Sequence, residues 1–210
     1  MAIQAAALMA AAAYYLIPQV QPALASVAEF KKQVGLPFAA VSTALAGVVL
    51  PEAARAITRQ KRSSLGDLGY QAMLYAILGV TIDLLYRGLA ELLGGKASIG
   101  LVAEKILVDQ LVYSPLFSIP LSTFVFLFRD VRFDWGRVLG AVRNGEFAKR
   151  YVALLITCWG FWGPVLAAVY AMPSNLQFVM FLCAEGAWSL LLVTVAVQPG
   201  RDQPQRGEIT

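Results

Sequence analysis

The sequence predicts an all-α membrane protein: a bundle of about five transmembrane helices, an interfacial amphipathic helix and an Ala-rich helix at the N-terminus. Three observations predict it. Of 210 residues, 59% are hydrophobic and only 14% charged, against about 25% charged in a soluble domain, and mean hydropathy is +0.65. Apolar stretches recur at lengths near the roughly 20 residues a helix needs to cross hydrocarbon. Basic residues gather between these stretches, where the flanking charges of membrane helices belong. Lipid accepts such apolar surface, and it forbids unpaired backbone groups, so long apolar runs in it are helices.

Taken in order, residues 1–30 form the Ala-rich segment. Met1 to Ala28 carries no charged residue, and Ala23-Leu24-Ala25 ahead of Ser26 resembles a signal-peptidase site. A secretory signal wants basic residues before its apolar core. None precede it, so the segment reads as a helix lying on or dipping into the membrane. An Arg-rich, acid-poor transit peptide is likewise not expected.

A single membrane domain is expected over 31–197, with spans at 36–54, 70–93, 106–128, 151–172 and 176–197. The alternating pattern of a membrane barrel is absent. In span one, Ala39, Thr43 and Gly47 recur every four residues and offer a close-packing face. Residues 130–148 are amphipathic, with Trp135, Val138, Leu139 and Val142 on one helical face among arginines. They read as an interfacial helix, with a solvated loop as the alternative. The polar tail, 198–210, is expected to be disordered.

With five spans, twelve Lys and Arg fall on the side of the span three–four loop and the C-terminus, and five on the other. The positive-inside rule turns the richer side toward the cytoplasm or its equivalent, such as a matrix.

Several function classes fall away. The net charge of +4 is not gathered into a polar domain, so nucleic acid is not expected as a partner. There is no histidine, hence no imidazole base, Ser–His dyad or imidazole metal ligand. No glycine-rich phosphate loop follows a strand, and no histidine is present to hold a haem. Cys158 and Cys183 both lie in apolar runs and read as small core residues. No cofactor or metal is expected. A carboxylate-only aspartyl site would need Asp109 to converge with Asp83 or Glu185, and an enzyme is not expected.

Polar residues inside the spans each need an explanation, since a charge at mid-membrane costs at least about 2.5–3.5 kcal/mol. Asp83 and Arg87 stand four apart with the acid first, the favourable order for a helical pair. Lys105 and Asp109 are also four apart but in the weaker order, which suggests a further partner for Asp109 on another helix. Gln110 brings an amide that must be satisfied in the bundle. Glu185 has no cation three or four residues away; it carries a proton, pairs across the bundle or lines a wet cavity. Pro115 and Pro120 remove the amides that would bond Leu111 and Leu116 in an α-helix, and Pro164 the one that would bond Gly160. Bends are expected there.

These residues carry a resemblance. Lys105 to Pro115 (KILVDQLVYSP) fits K-x-x-x-D-Q-x-x-x-x-P at every fixed position. Trp159-Gly-Phe-Trp162-Gly-Pro164 is similar to W-x-x-W-P, and Pro173 precedes Trp188 by fifteen residues. Gly79 to Leu89 matches G-P-x-x-H-x-W-Y-x-x-L at Gly79, Tyr86 and Leu89, with Val80, Asp83 and Leu85 replacing proline, histidine and tryptophan. Together they resemble the Mpv/PMP-type family of peroxisomal and mitochondrial inner-membrane proteins, over about Gly66 to Val197. Gln177 and Val169-Tyr170 depart from it, standing for an arginine and an asparagine-phenylalanine pair. The resemblance implies a small helical bundle in an organelle membrane, mitochondrial inner or peroxisomal, some members being described as weakly selective channels.

The leading expectation is a small, weakly selective pore for ions or small solutes, surrounded by membrane lipid. Asp109, Gln110 and Glu185 would face its interior, Pro115 and Pro164 would shape it, and Arg87 and Lys105 would set electrostatic preference near one mouth. The alternative is a non-conducting scaffold or accessory subunit whose polar residues only fix helix packing. Assembly as a homo-oligomer stays open.

Overall fold

The computed structural model describes Met9 and residues 12–57, 59, 62–94 and 98–196, with backbone alone over 191–196. Regular structure among the described residues is entirely helical. It comprises α1 (Val20–Val34), α2 (Leu36–Ile57), α3 (Leu65–Leu93), α4 (Ile99–Val108), a π-helical segment (Asp109–Ser118), α5 (Ile119–Asp130), α6 (Trp135–Arg143), α7 (Glu146–Ala171) and α8 (Ser174–Ala196). The expected tail, 198–210, lies outside the described residues, as do 1–8, 10 and 11.

Among the described residues four helical units are long and apolar enough to cross a membrane: α2, α3, the continuous rod Ile99–Asp130, and α7. The chain is an integral membrane protein. The first four expected spans fall on these units, each helix running past its apolar stretch. Polar caps explain part of the extension. Ser64 accepts from the Asp67 amide at 3.1 Å and starts α3 five residues before the expected boundary. Ser98 likewise caps α4, accepting from the Leu101 amide. The fifth expected span falls on α8, which packs against α2, α3 and α7 and buries Leu176, Phe178, Val179, Phe181 and Ala184.

The N-terminal segment departs from a single helix. Residues 12–16 are helical, a turn at Pro18 interrupts, and α1 then continues to Val34. Proline disfavours helical backbone at the residue before it, here Ile17. The chain turns into α2 at Gly35, whose φ of +74° favours a residue without Cβ.

The predicted close-packing face in α2 forms. A Cβ on Gly79 of α3 would collide with the Ala39 carbonyl and the Thr43 side chain, and one on Gly47 with the Tyr75 ring. On the opposite side of α2, Val41, Leu45 and Val49 are exposed at the same four-residue spacing. Small residues inside and bulky apolar ones outside suit a helix whose outer solvent is lipid.

In α6 the apolar residues of the expected face are split. Val138 and Ala141 pack inward with Leu127, whereas Trp135, Leu139 and Val142 are exposed. Trp135 still touches Phe128, at 4.7 Å between ring centroids. The apolar residues of this nine-residue helix thus divide between the bundle and its exposed side. The helix is also shorter than the expected 130–148: Asp134 caps its start by accepting from the Arg137 amide.

Candidate functional site

The site is built around the π-helical segment, where the D-Q-x-x-x-x-P residues lie. A π-helix bonds each amide to the carbonyl five residues back; the Ile119 amide reaches the Ser114 carbonyl in this register. The prolines therefore orphan different carbonyls from those expected. Pro115 has no amide for Gln110, and Pro120 has none for Pro115. Leu111 and Leu116 were the α-helical expectation, and the extra residue per turn shifts each by one. Both orphaned carbonyls find donors on α7. Trp159 Nε1 donates to Gln110 O at 2.8 Å, and the Tyr151 hydroxyl to Pro115 O at 3.0 Å. Buried carbonyls left without donors are costly in any apolar medium. These two aromatics stabilise the π register.

The register turns Asp109, Gln110 and Ser114 inward, where all three are buried. Asp109 accepts from the Tyr170 hydroxyl at 2.8 Å, from Gln110 Nε2 at 3.1 Å and from Ser114 Oγ at 3.4 Å. The expected second partner on another helix is thus Tyr170 of α7. Lys105 makes no ion pair with Asp109 among the described residues. Its ammonium donates instead to the Gly94 carbonyl at the C-terminus of α3, at 2.8 Å. A cation there meets the negative end of the helix dipole.

Asp109, Gln110 and Glu185 line one internal cavity of about 80 Å³, together with Thr43, Tyr113 and Cys158 among others. No described residue lining it is basic. Each water needs roughly 15 Å³ of such space, so the cavity has room for about five. Glu185 is 6% exposed and makes no hydrogen bond or ion pair among the described residues. Gln110 Oε1 and Thr43 Oγ1 are buried on the same cavity without protein partners. Polar atoms in that state call for water or a polar ligand.

A second, larger space of about 740 Å³ lies between α1, the C-terminal half of α3 and the start of α8. Asp83 sits on its wall, 0% exposed. The expected partner Arg87 is present at 2.6 Å, and Lys31 of α1 makes a second, closer ion pair. Lys31 also stands over the Phe178 ring, 4.8 Å from its centroid. Asp83 is thereby neutralised from two helices.

No protein-family model, curated protein or solved structure matches this chain. The aromatic residues that carried the resemblance nevertheless occupy definite places. Tyr86, Trp162 and Trp188 line the inner cavity and are buried. Trp162 stacks on Phe181 and Trp188 leans on Phe161. Trp159 alone points outward, and it serves the Gln110 carbonyl. Pro164 lies inside α7 without ending it, and Gln177 is buried, donating to the Met172 carbonyl at 3.1 Å.

Sequence reasoning missed Lys31, Tyr151 and Tyr170 as partners. Lys31 read as a flanking charge, and nothing in its spacing tied it to Asp83. For Tyr151 a signal existed: two prolines five apart predict two orphaned carbonyls, and a neighbouring helix must supply donors. Only the register decides which carbonyls they are.

Proposed function

We propose that this integral membrane protein is a small, weakly selective pore for ions or small solutes, with five membrane-crossing helices in an organelle-type membrane. The fifth crossing is α8, and α6 lies along the interface at the Arg-rich face. The observation that carries the reading is the cavity in the bundle centre with Glu185, Asp109 and Gln110 on its wall. A bundle kept only for packing gains nothing from an unpaired carboxylate in its middle. Water in that cavity would solvate Glu185 and lower the barrier to a polar species. The resemblance to the Mpv/PMP-type family points the same way for architecture and membrane.

The vestibule beside Asp83 would be one mouth, on the face opposite the basic loops. Arg87, half exposed there, would set its electrostatic preference. Lys105 has no such part, being tied to the Gly94 carbonyl. The scaffold reading keeps one supporting observation, the ion triad of Lys31, Asp83 and Arg87, which fixes packing without needing a path.

Purified protein in planar bilayers separates the two. The pore reading expects conductance, with Glu185→Gln altering its selectivity and abolishing part of its pH dependence. Silent bilayers with folded protein would leave the scaffold. Conductance that ignores the Glu185→Gln change would remove that carboxylate from the path.

A further inference from the structure

Tyr86 is shared by the walls of the inner cavity and the vestibule, and among the described residues lining the two it is the sole one shared. The two spaces are stacked along one face of α3. Tyr75, Leu78 and Ile82 line the cavity, Tyr86 follows, and Ala90 lines the vestibule. At about 1.5 Å per residue that face covers roughly 22 Å, most of a hydrocarbon core of about 30 Å. One buried ring lies between the smaller cavity and the larger space.

The ring is held by packing. It meets Tyr170 edge-on at 5.3 Å and Phe181 at 6.1 Å between centroids. Tyr170 is anchored, since its hydroxyl donates to Asp109. The Tyr86 hydroxyl makes no hydrogen bond among the described residues. Tyr170 is therefore a fixed post, whereas Tyr86 is held against it by ring packing alone, with no hydrogen bond to break among the described residues.

We infer that Tyr86 is the gate between vestibule and inner cavity, closed in this structure, with Tyr170 and Asp109 as the post it closes on. Solute or water passes when the ring leaves Tyr170 and Phe181. The inference deepens the pore reading and rests on it for its physiological meaning, but thiol access tests the barrier without conductance.

Cys158 lies on the inner cavity, and Cys183 is exposed. In a Cys183→Ser background Cys158 is the remaining thiol, and a small cationic methanethiosulfonate reagent reports whether the cavity is open. The expected result is slow labelling with native Tyr86, at least tenfold faster labelling in Tyr86→Ala, and slow labelling in Tyr86→Phe, where the ring remains. Ala90→Trp, which narrows the vestibule, should cancel the acceleration. Tyr86→Leu serves if Tyr86→Ala does not fold, because it retains part of the buried apolar contact while being too short to span the place of the ring; it too should label faster. Equal rates in the native and the ring-deleted folded protein would overturn the gate, as would acceleration that Ala90→Trp leaves intact. The two readings fail separately. A protein that never conducts but labels as expected loses the pore and keeps the barrier; one that conducts with labelling and conductance indifferent to Tyr86 keeps the pore and loses the gate.

Discussion

Asp83 and Glu185 are both carboxylates buried in the bundle, on α3 and α8, and the molecule treats them in opposite ways. Asp83 is enclosed by two cations, Lys31 and Arg87, and sees no solvent. Glu185 faces a cavity with no cation on its wall among the described residues. Asp109 stands between them, held by a phenol, an amide and a hydroxyl. A buried charge persists only with a counter-charge, with donors or with water. The three acids differ in partner: Asp83 has cations and Asp109 has donors, while Glu185 has neither among the described residues and only the cavity beside it.

The largest expected effect breaks the first of these arrangements. Asp83→Asn leaves Lys31, itself 8% exposed, without its counter-ion. Removing one member of a buried pair costs about 3–5 kcal/mol. Arg87 reaches solvent and needs Asp83 less, so the lower end, about 3 kcal/mol, is expected. Thermal unfolding in detergent measures it. Lys31→Met together with Asp83→Leu should recover much of the loss, since the two effects are coupled. An Asp83→Asn protein as stable as the native one would show that the triad is ornamental.

The contrast among the acids was half legible in the sequence. Spacing alone gave Arg87 to Asp83 and denied Glu185 any cation on its own helix. Apolar length and the placement of arginines yielded the helices, because hydrocarbon admits few alternatives. Contacts between distant helices were hidden. Lys31 stands fifty-two residues before Asp83 and Tyr170 sixty-one after Asp109, and no periodicity links such pairs. The helical register of Asp109–Ser118 was hidden too. An α-helix is the default for an apolar run, and a shift to the π form depends on donors that another helix supplies.

That dependence predicts the middle effect. Trp159→Phe and Tyr151→Phe each remove one donor and leave a proline-orphaned carbonyl unpaired, costing about 1–3 kcal/mol apiece. In Pro115→Ala the chain regains an amide at residue 115 that can bond the Gln110 carbonyl. The Trp159→Phe cost should then fall to a few tenths of a kcal/mol, near the range of ordinary surface changes. The Tyr151→Phe cost should persist in that background, because its carbonyl is orphaned by Pro120. A double-mutant cycle in which both costs stay unchanged would detach the aromatics from the prolines.

The smallest effect on stability belongs to Glu185. Interhelical hydrogen bonds in membranes average about 0.6 kcal/mol, and Glu185 has none to lose among the described residues. Glu185→Gln keeps the shape of the side chain and removes its capacity for charge, so unfolding in detergent should move by less than about 1 kcal/mol, with a gain as admissible as a loss. Asp83→Asn, an equally small chemical change on an equally buried acid, should cost several times more. If Glu185→Gln instead destabilises the bundle as severely as Asp83→Asn, the carboxylate has a partner that holds the helices together. The distinction between a paired acid and a solvated one would then disappear, and with it the reason for expecting a polar path beside Glu185.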